Sequence, residues 1–134
     1  MLQYQNPVKL KPFLRIIMSE YRAVYGTLKA GFGNYRAFHM DDPQVCRLIW
    51  KGRISGYNMW KAAYPFVKHG TDEISIEVYE FFDKQILHSI DKMEINAGYQ
   101  LEQVPIHDLA PKAVYMYIYL GDISAYTPVP NGIF

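Results

Sequence analysis

The pattern of apolar and polar positions predicts a chain made mainly of β-strands with one clear helix. In the best strand, residues 74–82, apolar side chains alternate at the two-residue period of a strand. Asp83 follows as a helix N-cap, and the apolar positions after it recur at helical spacing until a stop at Gly98. We therefore expect a mostly antiparallel sheet or small barrel that carries this helix, with further strands over residues 22–25, 48–60, 99–105 and 113–120.

Glycine, proline and asparagine predict where the regular elements are interrupted. Residues 48–60 contain two glycines and are predicted to form one bent strand or two strands with a bulge. Pro65 and Gly70 are predicted to bound a turn before the next strand. Asn34 is predicted to cap a short helix that runs to Phe38, because its side-chain oxygen can accept a hydrogen bond from a free amide.

The first 17 residues are predicted to differ from the rest of the chain. They mix three cationic side chains with short apolar runs and lack the continuous apolar stretch of a secretory signal. We expect residues 1–17 to be an extension, or an arm packed on the domain, and residues 18–134 to form a single domain. No run in the sequence approaches the ~18 apolar residues of a membrane span.

Charge and cysteine content exclude several classes of protein. Fourteen Lys and Arg against 13 Asp and Glu give a net charge of +1, which argues against binding to nucleic acid. The single Cys46 excludes a disulfide scaffold and a cysteine-based zinc site, so we expect a soluble cytoplasmic protein. Twelve tyrosines stand out. They either complete a β-rich core or line a pocket for a polar small molecule, and composition alone leaves both open.

Common cofactor and metal motifs are missing from the sequence. Gly26 and Gly31 have the spacing that opens a phosphate loop, but Phe32 and Gly33 stand where the loop needs Lys and Ser or Thr. The dinucleotide-binding pattern also fails, because Arg36 occupies the position of its third glycine. No two of the four histidines are three or four residues apart. We therefore expect no cofactor and no metal.

Two features remain as candidate chemistry. A turn at Tyr25, Gly26, Thr27 and Leu28 follows the first predicted strand, and its amides could hold a carboxylate without a cationic side chain. An ordinary strand-to-helix turn would give the same pattern. Glu94 falls on or beside the apolar stripe of its helix. Such a carboxyl group has a raised pKa that suits a general base, whereas the alternative is a solvated glutamate at the helix end.

Together these features resemble the γ-glutamylcyclotransferase-like family, which includes γ-glutamylamine cyclotransferases and plant avirulence-induced proteins. The resemblance is carried by the opening motif Y-G-T-L-K-x-G-x-x-N, from Tyr25 to Asn34. Looser matches follow in the family's order: Gly56-Tyr57, Tyr64-Pro65, the strand at 74–82, I-D-x-M-E ending at Glu94, and V-Y-M-Y-I-Y-L-G. The resemblance implies an α+β fold, a small mixed and mostly antiparallel β-barrel with flanking helices.

The resemblance also implies an activity. Members of the family close a γ-glutamyl compound into 5-oxoproline and release an amine, without a metal or cofactor. Carried over by position, Glu94 is the general acid/base, and Tyr25, Gly26, Thr27 and Leu28 form the substrate-binding loop. The implied partner is a small-molecule γ-glutamyl substrate, with no nucleic acid and no membrane, and both a monomer and a homodimer remain open. The alternatives are a catalytically silent member that binds a small ligand and a β-rich interaction domain.

Overall fold

The computed structural model describes residues 19–134, so the predicted extension over residues 1–17 lies outside the described residues. The described part forms six strands, two α-helices and one short 3-10 helix. In chain order they are β1 (Glu20–Val24), α1 (Gly33–Ala37), β2 (Cys46–Lys61), β3 (Pro65–Phe81), α2 (Lys84–Asn96), β4 (Tyr99–Val104), the 3-10 helix (His107–Leu109), β5 (Val114–Tyr119) and β6 (Thr127–Pro128).

The six strands form a single sheet in the order β4-β5-β1-β3-β2-β6. Neighbouring strands are antiparallel except for β1 and β5, which are parallel. The sheet curls into a half-barrel, with the two helices beside it. The predicted α+β fold, a mixed and mostly antiparallel barrel with flanking helices, is therefore confirmed in half-barrel form.

This topology brings several chain segments to one end of the sheet. Because β1 and β5 are parallel, the residues that follow each of them lie at the same end. Strand β4 begins there as well, since Tyr99 pairs with Tyr119 at the end of β5, and α2 ends just before it. Strand β3 runs antiparallel to β1, and its first half from Pro65 extends past the end of β1. The candidate site described below lies at this end.

Helix α2 follows the sequence prediction closely. The Asp83 carboxylate accepts hydrogen bonds from the amides of Gln85 and Ile86, both at 3.0 Å, and so caps the first turn. The helix ends before Gly98, whose φ of 102° favours glycine. Its buried side chains, Leu87 and Ile90, join the apolar core with residues of β1, β3 and β5. No helix within residues 19–134 is long and apolar enough to cross a membrane.

The predicted turn between Pro65 and Gly70 is wrong, because both residues lie within β3. Opposite Gly70 the register with β2 shifts between Ser55 and Tyr57, which confirms the predicted bulge in residues 48–60. Asn58 fills the gap, and its side-chain oxygen accepts hydrogen bonds from the amides of residues 71 and 72 at 3.0 and 2.9 Å. A Cβ at Gly70 would collide with the Asn58 side chain. The glycine therefore permits a bulge inside a long hairpin.

Candidate active site

A cavity of about 490 Å³ lies at the end of the sheet where these segments meet. All five residues singled out from the sequence line it, although they come from two separate segments: Tyr25, Gly26, Thr27, Leu28 and Glu94. The fold therefore brings the 25–28 loop and the last turn of α2 to one space. A volume of this size is within the usual range of small-molecule sites.

The cavity wall is rich in tyrosine. Besides Tyr25, five tyrosines line it, namely Tyr64, Tyr99, Tyr117, Tyr119 and Tyr126. Of the two roles that composition left open, the tyrosine-lined pocket is therefore present. Their individual positions could not be predicted, because four different chain segments contribute these five rings. The excess of tyrosine over other aromatic residues was the available signal.

Hydrogen bonds from α1 fix the 25–28 loop. The amide of Tyr35 donates to the carbonyl of Thr27 at 3.0 Å, and the Asn34 side-chain nitrogen donates to the Thr27 hydroxyl at 2.7 Å. The predicted N-cap role of Asn34 is therefore wrong. Helix α1 begins at Gly33 after Phe32, which makes no side-chain cap. The Asn34 carboxamide holds the loop instead.

Only glycine fits at position 26, because the loop packs closely against the start of β3. A Cβ placed on Gly26 would lie 2.9 Å from Cδ of Pro65 and closer still to Cγ of that ring. Pro65 is itself buried, so the ring has little freedom to move away. The glycine therefore lets the loop pack directly on the start of β3, and both residues line the cavity.

The backbone amides of Gly26, Thr27 and Leu28 have no acceptor among residues 19–134. All three residues line the cavity, and Gly26 and Leu28 are buried. Buried amide groups are normally paired, so unpaired donors at a cavity are suited to hold an oxygen atom of a ligand.

Glu94 supplies the one charged side chain among the cavity-lining residues of the described chain. It is half-buried in the last turn of α2. Burial raises the pKa of its carboxyl group to about 7, and the nearby Asp91 carboxylate adds to the rise. Near neutral pH the group can therefore both accept and return a proton.

No described residue donates a hydrogen bond to the Glu94 carboxylate, although three tyrosine rings lie close to it. The three hydroxyls donate elsewhere: Tyr25 to the Tyr117 carbonyl at 2.5 Å, Tyr99 to the Pro65 carbonyl at 2.7 Å, and Tyr117 to Asp91 at 2.5 Å. Burial first, and the Glu94 charge among the lesser causes, raise the pKa of all three tyrosines, so they stay neutral. The carboxylate is left available to a ligand.

Asp91 is held by two groups behind the cavity. The buried Arg22 guanidinium donates to its two oxygens from Nε at 3.1 Å and from Nη2 at 2.8 Å, and the Tyr117 hydroxyl donates to the first of them. A bidentate pair with a third donor fixes the carboxylate in place. Asp91 lies one helical turn before Glu94, so this network anchors the turn that carries Glu94. This network could not be predicted from the sequence, because Arg22 and Asp91 lie 69 positions apart in the chain.

Metal-binding geometry is lacking in the described part of the chain. Among residues 19–134 no group of three or more His, Cys, Asp or Glu side chains is arranged to hold a metal ion.

Comparison with known proteins identifies the family. The family model described as "Gamma-glutamyl cyclotransferase, AIG2-like" matches residues 22–132. A protein of Pyrococcus horikoshii named "Putative gamma-glutamylcyclotransferase PH0828" is 32% identical over 82 residues. The match covers 61% of this chain and 66% of that protein, slightly less than two-thirds of the relative's length.

Solved structures share the fold. The crystal structure of PH0828 superposes with a TM-score of 0.71 at 23% identity, covering 86% of this chain and 89% of that one. The Escherichia coli protein ytfP gives a TM-score of 0.66 at 19% identity over 87% and 96% of the two chains. An AIG2-like protein of Mus musculus gives 0.64 at 20% identity over 87% and 88%. Since the family model extends from β1 almost to the last residue, the chain belongs to the gamma-glutamyl cyclotransferase, AIG2-like family.

Proposed function

We propose that the protein is a γ-glutamyl cyclotransferase that releases 5-oxoproline and an amine from a γ-glutamyl amide. The α-amino nitrogen of the substrate loses a proton to Glu94 and attacks the γ-carbonyl carbon, which closes a five-membered ring. The bond from that carbon to the amide nitrogen then breaks, and the departing nitrogen takes the proton from Glu94. The new ring nitrogen gives its second ammonium proton to Glu94, which passes it to the released amine, so the amine leaves as an ammonium ion. Atoms and charge balance without water, metal or oxidant.

The observation that carries this proposal is the state of Glu94. It is a half-buried carboxyl group with a pKa of about 7 that lines the cavity, and no described residue donates a hydrogen bond to it. The substrate amine arrives as an ammonium ion and cannot attack until a base removes its proton. A general acid/base with a pKa near the working pH contributes typically ~10²–10⁴ in rate.

The 25–28 loop supports the proposal because it could bind the glutamyl part of the substrate. Its unpaired amides are suited to bind the α-carboxylate of the glutamyl group or the oxygen of the γ-carbonyl as negative charge develops there. Because nucleophile and electrophile belong to one molecule, the protein has mainly to fold the substrate and move protons. Proximity of this kind can contribute on the order of 7 kcal/mol or more.

The test is release of 5-oxoproline from a panel of γ-glutamyl amides and dipeptides by the wild-type protein and by Glu94→Gln. We expect the substitution to lower kcat/KM by about 10²–10⁴, because it removes the base and keeps the shape. Glu73→Gln is the matched control, since Glu73 is an exposed glutamate of β3 that does not line the cavity.

Wild-type activity retained by Glu94→Gln would disprove the role of Glu94. No release from any panel member, with 5-oxoproline or glutamate still bound, would instead indicate a catalytically silent binding protein.

A further inference from the structure

One part of the cavity wall has no role in the proposed reaction. It is a cluster of four aromatic rings centred on Phe66 of β3. Tyr126 stacks on Phe66 with ring centroids 4.2 Å apart and planes 5° from parallel, and Tyr119 packs against it at 4.6 Å. Tyr99 stacks at 6.1 Å. All four residues line the cavity, and we call them the aromatic wall.

The aromatic wall adjoins the proposed catalytic group. Tyr99 lies close enough to Glu94 for that carboxylate to be one cause of its raised pKa, and its hydroxyl is fixed on the Pro65 carbonyl at 2.7 Å. The proton that Glu94 returns must reach the nitrogen of the departing amine. The substituent of that amine therefore extends from Glu94 toward surfaces such as this wall, while the 25–28 loop holds the glutamyl part.

We infer that the aromatic wall of Phe66, Tyr99, Tyr119 and Tyr126 is the leaving-group subsite and selects amines that carry an uncharged, flat aromatic group. This inference rests on the proposed function, because it assigns the second half of the same substrate. Aromatic pairs in offset or edge-on contact gain roughly 0.5–1.5 kcal/mol beyond their buried area, so a further ring is favoured on such a surface.

The charges around the aromatic wall disfavour the other leaving groups. A leaving amine with its own carboxylate meets no cation in the cavity lining of the described chain, so that charge would be buried there without a partner. Lys68 does not line the cavity, but its Nζ lies 5.7 Å from the centroid of Tyr119, a ring of the aromatic wall, and donates to the Tyr119 carbonyl at 3.2 Å. That cation already occupies the position beside the ring and repels a leaving amine with a second ammonium group.

The test measures binding to Glu94→Gln, which removes the proposed base and so separates affinity from turnover. The probes are the γ-glutamyl amides of 2-phenylethylamine, methylamine and 1,4-diaminobutane, together with γ-glutamyl-alanine. We expect the phenylethylamide to bind about tenfold or more tightly than the methylamide, and more tightly than both charged probes. Adding Tyr126→Leu should remove most of that preference. Adding Trp50→Leu should not, since Trp50 lines a separate cavity with Arg53 and His107.

Equal affinity for the phenylethylamide and the methylamide, or no binding of any probe, would overturn the inference. So would a preference for either charged probe, or an aromatic preference that survives both Tyr126→Leu and Tyr119→Leu. Failure of the proposed function would give a different experimental result. In that case the wild-type protein binds the phenylethylamide with the same preference and releases no 5-oxoproline.

Discussion

Two regions of the molecule remove glutamates wholly or partly from solvent, and they differ in the hydrogen bonds that the carboxylates receive. In β3, Glu77 and Glu80 are 6% and 3% exposed. Glu77 accepts hydrogen bonds from the Ala30 amide at 2.9 Å and the Tyr79 hydroxyl at 2.7 Å. Glu80 accepts from Arg47 Nε at 2.6 Å and from the Ser19 and Tyr21 hydroxyls. At the end of α2, Glu94 receives no hydrogen bond from residues 19–134.

The difference separates structural carboxylates from a reactive one. Burying a carboxylate costs free energy unless donors replace the lost water. In β3 the donors are present, so both charges serve to tie strands and loop together. Around Glu94 three hydroxyls are close and each donates elsewhere. The Glu94 carboxyl group therefore binds a proton near neutral pH.

The largest effect should appear in the pH dependence of turnover. Glu94 is ionised, and so able to accept a proton, only above its pKa of about 7. We expect kcat/KM for a γ-glutamyl amide to fall about tenfold per pH unit below pH 7, and about 100-fold by pH 5. The measurement is initial rate against pH for the wild-type protein and for Glu77→Gln. If Glu77→Gln shifted the acid limb of the pH profile, or if kcat/KM did not depend on pH, the proposed difference between the two regions would be contradicted.

The second prediction concerns the stability of Glu94→Gln. The folded protein holds the Glu94 proton more tightly than the unfolded chain, since the pKa is raised from 4.5 to about 7. The free energy of unfolding of the wild type therefore falls as pH rises between these values. We expect Glu94→Gln to be more stable than wild type at pH 8, by about 2 kcal/mol after allowing for partial exposure. Near pH 4 the difference should vanish. Urea unfolding at the two pH values measures it, and a variant less stable at pH 8 would contradict it.

Glu80→Gln should lower the stability of the protein, whereas Glu94→Gln should raise it. The glutamine side chain loses the charge-assisted hydrogen bond from Arg47. Its NH2 group is a donor and cannot accept the hydrogen bonds that the second carboxylate oxygen accepted. We expect a loss of about 1–2 kcal/mol in the free energy of unfolding at neutral pH. Because Glu80 does not line the cavity, kcat/KM of the folded fraction should stay at the wild-type value. Stability unchanged by this substitution would mean that the hydrogen bonds to Glu80 contribute little.

The smallest effect is expected from Asp91→Asn. The Asp91 charge is the lesser of the two causes of the raised Glu94 pKa, after burial. Removing it should move the acid limb of the pH profile to lower pH, and the now unpaired Arg22 cation acts in the same direction. The limb should remain above the ordinary value for glutamate, because burial persists. A limb that moves to higher pH would show that Asp91 does not act on Glu94 through its charge.

The sequence predicts the elements more completely than the contacts between them. Asp83 and Gly98 define α2 by local chemistry, and the phase of the helix then carries Glu94 to the side of the buried Ile90. Gly70 misled the prediction because a glycine can serve a turn or a bulge, and only the neighbouring Asn58 decides between them. Asn34 misled it because its side chain has a donor as well as an acceptor, and the donor is used.

Contacts between distant residues had no local signal. Arg22 and Asp91 are 69 positions apart, and the Tyr25 hydroxyl reaches a carbonyl 92 positions away. The hydroxyl partners of the cavity tyrosines depend on the same long-range pairing. The sequence could therefore propose Glu94 as a base, yet could not show why its carboxylate has no hydrogen-bond donor.

The parallel pairing of β1 with β5 also determines when the cavity can form. Most of the described chain lies between these two strands, so their pairing closes a long loop and has a large entropic cost. Folds with many such distant contacts refold slowly. The cavity has walls from both sides of this closure, and no fragment that lacks either strand can contain it. Ligand binding should therefore return only with the last cooperative step of refolding, and a refolding assay can use it as a reporter of complete assembly.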